Sequence, residues 1–294
     1  MSEPSAQGKN DREELRENHA IAARLREYAD LLKQQGDDGF RRRAYERAAD
    51  VIEGLDRSLA DILENEGREG LIKLRGIGRG IAGAIAEMIA TGHWSQLERL
   101  QGELVPEALF QTLPGIGPEL AHRLVEEGEV ESLEELEHAL HFGELDVTGI
   151  GPRRKRMLEA TLADRLGTRV GRRAGGRAPK PPVEMLLDVD KEYRKRANSG
   201  RLRKIAPKRF NPSGEAWLPI MHARRDDWHF TVLYSNTARA HELDKTDDWV
   251  VIYYQKDGHP EGQCTVVTET RGPLAGQRVV RGREDETPES GAAA

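Results

Sequence analysis

The chain of 294 residues has one cysteine, Cys264. A lone thiol excludes an internal disulfide and every zinc site assembled from paired cysteines, and it suits a reducing cytoplasm. Long apolar runs are also missing. Nothing approaches the roughly 18 residues that a membrane span needs, and the opening MSEPSAQGKNDREEL is too polar for an export signal. Aromatic residues make up 5% of the chain and charged ones 33%, a balance that predicts a soluble protein. Positive charge is lacking overall, and a net charge of −6 argues by itself against a polyanionic partner.

That sum hides unlike parts. Residues 1–152 carry 17 basic and 31 acidic side chains, net −14; residues 153–209 carry 19 and 6, net +13; residues 210–294 carry 9 and 14, net −5. A basic block of this density inside an acidic chain is the electrostatic footprint expected of a protein that meets a polyanion.

The text divides at the same places. Residues 1–15 read as a disordered tail. From Asn18 the apolar residues Ile21, Leu25, Tyr28, Leu31 and Leu32 recur at helical spacing, and after GDDG (36–39) the segment FRRRAYERAADVIEGL places Ala44, Tyr45, Ala48, Val51 and Ile52 on one face. No convincing strand precedes residue 170, so residues 16–165 are expected to form an all-α domain. RLGTRVGRRAGGRAPKPP, with its Gly, Pro and Arg, predicts a flexible basic linker over 166–182. Eight of the fifteen aromatics then lie in residues 210–254, and WVVIYY (249–254) and CTVVT (264–268) read as strands. The fold class is therefore multidomain: the all-α domain, the linker, a small α+β domain over 183–283, and an acidic disordered tail over 284–294.

One short pattern occurs three times. LRGIGRG, LPGIGPEL and VTGIGPRR place the first glycines of their GIG triplets at 76, 115 and 149, intervals of 39 and 34 residues. Each triplet falls between two helical segments, and two are followed by Pro118 and Pro152, suited to a first helical position. Glycine permits a tight reversal at positive φ and lets backbone approach a ligand closely. The product is a helix N-terminus entered through a glycine loop, which is an anion site. Backbone amides contact phosphate without reading a base edge, so three such sites predict sequence-independent DNA binding. The candidate residues are Gly76, Gly78, Gly115, Gly117, Gly149 and Gly151, with Arg75 and Arg79 beside the first loop and Arg153, Arg154, Lys155 and Arg156 after the third. The second loop is followed by Glu119, so the first and third are expected to supply most of the affinity.

GFRRRAYERAADVI (39–52), KLRGIGRGIAGAIAEMIATG (73–92) and LPGIGPELAHRLVEEG (113–128), followed by SLEELEHAL (132–140), make a more specific pattern. Over about residues 18–165 the chain resembles the N-terminal region of family X DNA polymerases, the polymerase beta type, with helix-hairpin-helix motifs. The resemblance implies double-stranded DNA, gapped or nicked, as the partner, a role in repair or recombination, and a cytoplasmic or, in a bacterium, nucleoid-associated location. It implies a 5′-phosphate pocket, with Arg41 in place of a lysine and Tyr45 retained. A monovalent cation on the main-chain carbonyls of Leu74, Ile77, Leu113 and Ile116 is the one cofactor it suggests. The family's Schiff-base lysine position is Ala84, and Gly80 replaces a second lysine of that pocket, leaving Lys33 and Lys73 as the domain's other candidate amines.

A family X palm needs a glycine-serine loop and three aspartates on strands. MLLDVDKEY offers Asp188 and Asp190 without that loop, and the two are expected to cap the helix KEYRKRA. The C-terminal domain also carries His222, His229, His241, Glu242, Asp226 and Asp227 in no metal-binding spacing. Its tryptophans, Trp217, Trp228 and Trp249, are expected in the core. The run RKRANSGRLRKIAPKRF (194–210) has no acidic residue and points to nucleic acid. The enzyme alternative is a residual abasic-site lyase or a metal-dependent nuclease in the C-terminal domain. An interaction scaffold without DNA binding is the third reading, drawn from the acidic N-terminal half.

Overall fold

A computed structural model describes residues 6–166 and 179–287, apart from 38, 142, 144, 257, 258 and 260, with side chains from residue 15 onward. The expected linker lies for the most part outside the described residues. The chain divides into two compact units, the first N-terminal to about residue 178 and the second C-terminal to it. The first is a run of helices and the second carries an antiparallel sheet. Among the described residues no helix is long and apolar enough to cross a membrane.

The first unit contains α1 (Ala6–Gln34), α2 (Phe40–Glu53), α3 (Leu59–Ile72), α4 (Arg79–Thr91), α5 (Ser95–Gln101), α6 (Pro106–Gln111), α7 (Pro118–Glu126), α8 (Leu133–His141) and α9 (Pro152–Arg165). The segment expected as a disordered tail is already helical from Ala6. Its Gln, Lys, Glu and Arg residues have good helix propensity and extend an amphipathic helix whose Ile21, Leu25, Tyr28 and Leu32 are buried. Tyr28, Tyr45 and Trp94 form an aromatic cluster, with ring centroids 4.6 Å apart for Tyr28–Tyr45 and for Tyr28–Trp94. Asn18 joins α1 to the start of α3, accepting from the Leu59 amide at 2.9 Å and donating to the Arg57 carbonyl at 2.8 Å. Ser58 caps α3 through the Asp61 amide.

A second apolar core holds the later helices together. Leu113, Ile116, Leu124, Leu133, Leu136, Val147, Ile150, Leu158 and Leu162 all belong to it. Arg68 of α3 is ion-paired with Glu134 of α8.

The second unit opens with α10 (Val183–Asn198), followed by β1 (Arg203–Ile205), β2 (Leu218–Arg225), β3 (Trp228–Tyr234), α11 (Ala238–Glu242), β4 (Val250–Lys256), β5 (Gly262–Thr268) and β6 (Arg278–Val280). The strands form one antiparallel meander in sequence order. Its centre is set by the pairs Phe230↔Tyr254 and Val232↔Ile252, aromatic and β-branched residues that suit a pleated buried surface. Helix α10 buries Leu186, Val189 and Tyr193. The Tyr193 hydroxyl donates to the Pro219 carbonyl at 2.8 Å and accepts from the Tyr234 amide at 2.9 Å. Of the tryptophans expected in the core, Trp228 is buried, whereas Trp217 and Trp249 are half-buried. The Trp249 ring takes the Arg281 guanidinium on its face at 4.8 Å. A 3-10 turn, Glu284–Glu286, occupies part of the segment expected as an acidic tail.

Candidate nucleic-acid interface

The three glycine triplets fold identically. In each, the amide of the isoleucine donates to the carbonyl three residues earlier: Ile77 to Leu74 at 3.1 Å, Ile116 to Leu113 at 3.2 Å, and Ile150 to Val147 at 3.1 Å. The third residue of each turn is a glycine at positive φ, 85° at Gly76, 76° at Gly115 and 90° at Gly149. These are type II turns, for which glycine is needed at that place. The isoleucines are buried and anchor the loops in the core.

The second glycine of each triplet has a different reason. Gly78, Gly117 and Gly151 are the N-caps of α4, α7 and α9, with φ of −84°, −90° and −78°, an extended backbone that any residue adopts. A Cβ built on any of the three would meet nothing within 4 Å. Neither backbone strain nor packing inside the chain demands glycine at these positions. All three are exposed, and no side chain caps the helices they open. Helix N-termini leave their first amides unbonded, and here the chain offers them no side-chain acceptor. The missing side chain therefore clears the approach to a set of unbonded amides at the positive end of a helix dipole.

The cations around the loops divide into two groups. Arg75, Arg79, Arg153 and Arg156 are exposed and make no side-chain hydrogen bond or ion pair among the described residues. Arg154 and Lys155 turn back on their own hairpin, donating to the carbonyls of Gly149 and Leu145; they brace the loop. At the second hairpin Arg123 is held by Glu119 at 2.8 Å and by the Thr148 carbonyl at 3.3 Å. That places it between the second loop and the third.

The second and third hairpins seat each other reciprocally. The vacant Cβ position of Gly115 lies 3.1 Å from Met157 Cε on α9, and that of Gly149 lies 3.1 Å from Leu120 Cδ2 on α7. Each loop is thus packed under the second helix of the other pair. Gly76, in contrast, has only Val51 of α2 near it, at 4.0 Å.

Other sequence-predicted residues lie elsewhere. Arg41 is buried, and its Nε and Nη2 donate to Asp37 Oδ2 at 3.1 and 3.0 Å. Tyr45 is buried in the aromatic cluster, its hydroxyl 3.4 Å from Gln96 Oε1. The expected 5′-phosphate pair is therefore occupied by internal partners. Ala84 is buried in α4, and Lys73 reaches Glu66 at 3.5 Å. The carbonyls of Leu74 and Leu113 accept the turn hydrogen bonds, and each retains a second lone pair.

Asp188 and Asp190 stand within α10 rather than at its start, because the helix begins at Val183. Asp190 is buried and receives Arg278 through two bonds, at 2.6 and 3.1 Å, while Asp188 pairs with Arg225 at 3.0 Å. Both are committed to ion pairs on a helix, unlike palm carboxylates. His222 is buried on β2, 3.1 Å from Thr231 Oγ1, and His241 lies on α11. Among the described residues the C-terminal set is not gathered into a metal-binding group. The group that does gather is Glu107, His122 and Glu126 on α6 and α7; only the four-residue spacing of His122 and Glu126 on one helix marks it in the sequence.

Residues 16–94 match the helix-hairpin-helix domain family, and residues 107–140 match the SAM-like helix-hairpin-helix tandem. The first two turns are helix-hairpin-helix motifs. The third reproduces their backbone. The chain is also 29% identical, over 171 residues, to the DNA polymerase/3'-5' exonuclease PolX of Bacillus subtilis (strain 168). That match covers 57% of this chain and 27% of the polymerase, so the chain spans about a quarter of its relative. The N-terminal region thus has the family X likeness its motifs imply, and among the described residues nothing shows a palm domain.

Proposed function

We propose that this protein binds double-stranded DNA by its phosphate backbone, without sequence readout, through the three helix-hairpin-helix loops. The observation that carries this reading is the threefold recurrence, at the N-cap of a helix with no side-chain cap, of a glycine that neither strain nor packing inside the chain requires. Gly78, Gly117 and Gly151 leave no side chain at the helix ends where a phosphate would meet the amides of α4, α7 and α9. Arg75, Arg79, Arg153 and Arg156 add charge around the first and third loops, and the segment 153–209, net +13, concentrates positive charge within an otherwise acidic chain. The similarity to a DNA polymerase supports gapped or nicked DNA as the preferred form and repair as the setting. A monovalent cation held by the carbonyls of Leu74, Ile77, Leu113 and Ile116 belongs to the same proposal; it would tie the loops to a phosphate.

Gly78→Val combined with Gly151→Val tests the reading. The Cβ of neither substitution meets a neighbour within 4 Å, and neither position has an unfavourable φ; helical circular dichroism checks that the fold is retained. Losing charge-assisted bonds worth about 1.5–3 kcal/mol each lowers duplex affinity by at least about tenfold. Fluorescence anisotropy on intact, gapped 5′-phosphorylated and gapped 5′-hydroxyl duplexes across a salt series measures this. Unchanged affinity in a folded double variant refutes the proposal, and equal binding of all three duplexes removes the preference for gaps.

A further inference from the structure

The second unit carries an aromatic residue in an unusual place. Phe210 is 47% exposed and has a φ of 53°, a left-handed conformation costly for a bulky side chain. A hydrogen-bonded scaffold holds it there. Asn236 Nδ2 donates to the Arg209 carbonyl at 3.2 Å, and Asn236 Oδ1 lies 2.7 Å from His241 Nε2. The Phe210 ring rests on that imidazole, with centroids 4.7 Å apart. Trp217 meets the imidazole edge-on at 6.2 Å, and the Arg209 guanidinium lies 5.1 Å from the Phe210 centroid. The turn is built to present the ring, since an ordinary surface loop would release both the strain and the exposed apolar area.

The chain leading to this ring is cationic. Arg201, Arg203, Lys204 and Lys208 are exposed and make no side-chain hydrogen bond or ion pair among the described residues. Arg203 and Lys204 lie on β1, the edge of the sheet. Charged residues protect sheet edges from pairing with other chains, which accounts for charge on β1 but not for an exposed aromatic at positive φ. A presented ring at the end of an exposed cationic segment suits an unpaired nucleic-acid strand, with a base stacked on the ring and phosphates meeting the basic residues.

We propose that the second unit binds single-stranded DNA, with Phe210 as the stacking platform, supported by His241 and Arg209, and with Arg201, Arg203, Lys204 and Lys208 available to its phosphates. This goes beyond the duplex reading and does not depend on it.

The test uses the full chain and a fluorescein-labelled oligo-dT strand. Phe210→Gly keeps the positive φ without strain and removes the ring; oligo-dT affinity falls by about tenfold, with duplex affinity changed less than about twofold. Phe210→Trp restores oligo-dT binding, and its added fluorescence is quenched by the strand. Arg203→Glu with Lys204→Glu weakens oligo-dT binding and flattens its salt dependence. The hairpin variant Gly78→Val with Gly151→Val keeps the Phe210-dependent part of oligo-dT binding, so failure of the duplex reading leaves this result intact. Oligo-dT affinity unchanged in folded Phe210→Gly, or no quenching with Phe210→Trp, overturns the proposal.

Discussion

Glu87 makes the stability of the first unit depend on pH. It lies in α4, the helix opened by the first glycine loop, and is 8% exposed. Its carboxylate Oε1 accepts from the Ser95 amide at 3.2 Å and from the Ser95 hydroxyl. Burial nevertheless pushes its pKa up to about 7 from an ordinary 4.5, with Ser95 opposing the shift and Glu134 adding to it. An acid whose pKa is higher in the folded state binds its proton more tightly there. Its stabilising contribution is complete below the unfolded value and is lost as pH rises from about 4.5 to about 7. Above that range the ionised carboxylate costs on the order of 3 kcal/mol, from 1.36 kcal/mol per pKa unit. Glu87→Gln removes the charge and keeps an oxygen for Ser95. At about pH 8.5 the variant is more stable than the parent by up to that amount, and at about pH 4.5 the gain disappears. Urea unfolding followed by helical circular dichroism measures it as a midpoint rise of about 1–2 M at the higher pH with an unchanged slope. A gain that is the same at both pH values, or no gain at the higher one, refutes the assignment.

Two further substitutions probe the folds that carry the sites. Asp190→Ala leaves the Arg278 guanidinium with Asp248, at 2.6 Å, as its remaining carboxylate partner, and the loss of the charge-assisted bonds to Asp190 destabilises the second unit by about 1.5–3 kcal/mol, read as a lower thermal midpoint of the sheet; a change under about 0.5 kcal/mol contradicts the ion-pair assignment. Gly149→Ala places a side chain at a φ of 90° and 3.1 Å from Leu120, and costs about 1–2 kcal/mol. The same change at Gly151, in extended backbone and open space, costs less than about 1 kcal/mol, the N-cap preference of glycine over alanine.

Much of the first unit is legible in the sequence because glycine there answers local requirements. The positive φ of Gly76, Gly115 and Gly149 and the buried isoleucine between the glycines follow from the turn itself, whatever the rest of the chain does. The strands of the second unit are legible for a similar reason, since runs such as Val250–Lys256 carry their β-branched and aromatic character in a few residues. Choices of partner are not legible. Arg41 reads as a phosphate ligand until Asp37 is found on its guanidinium, and Asp190 reads as a helix cap until Arg278, far along the chain, arrives beside it. The extent of α10 hid this, because the helix starts at Val183, just after Pro181 and Pro182, five and seven residues before Asp188 and Asp190. The support beneath Phe210 was equally hidden: Asn236 and His241 belong to a later loop and helix, and the basic run preceding Phe210 does not reveal a left-handed turn.

The reciprocal seating of the second and third loops makes them a single mechanical part. Neither turn can shift outward without uncovering the glycine of the other, so an insertion or a bulky substitution in one displaces both. The acidic second hairpin adds little charge of its own, and its Arg123 is divided between Glu119 and Thr148. Its contribution is positional: it serves as the abutment against which the cation-bearing third hairpin is held at a fixed pitch.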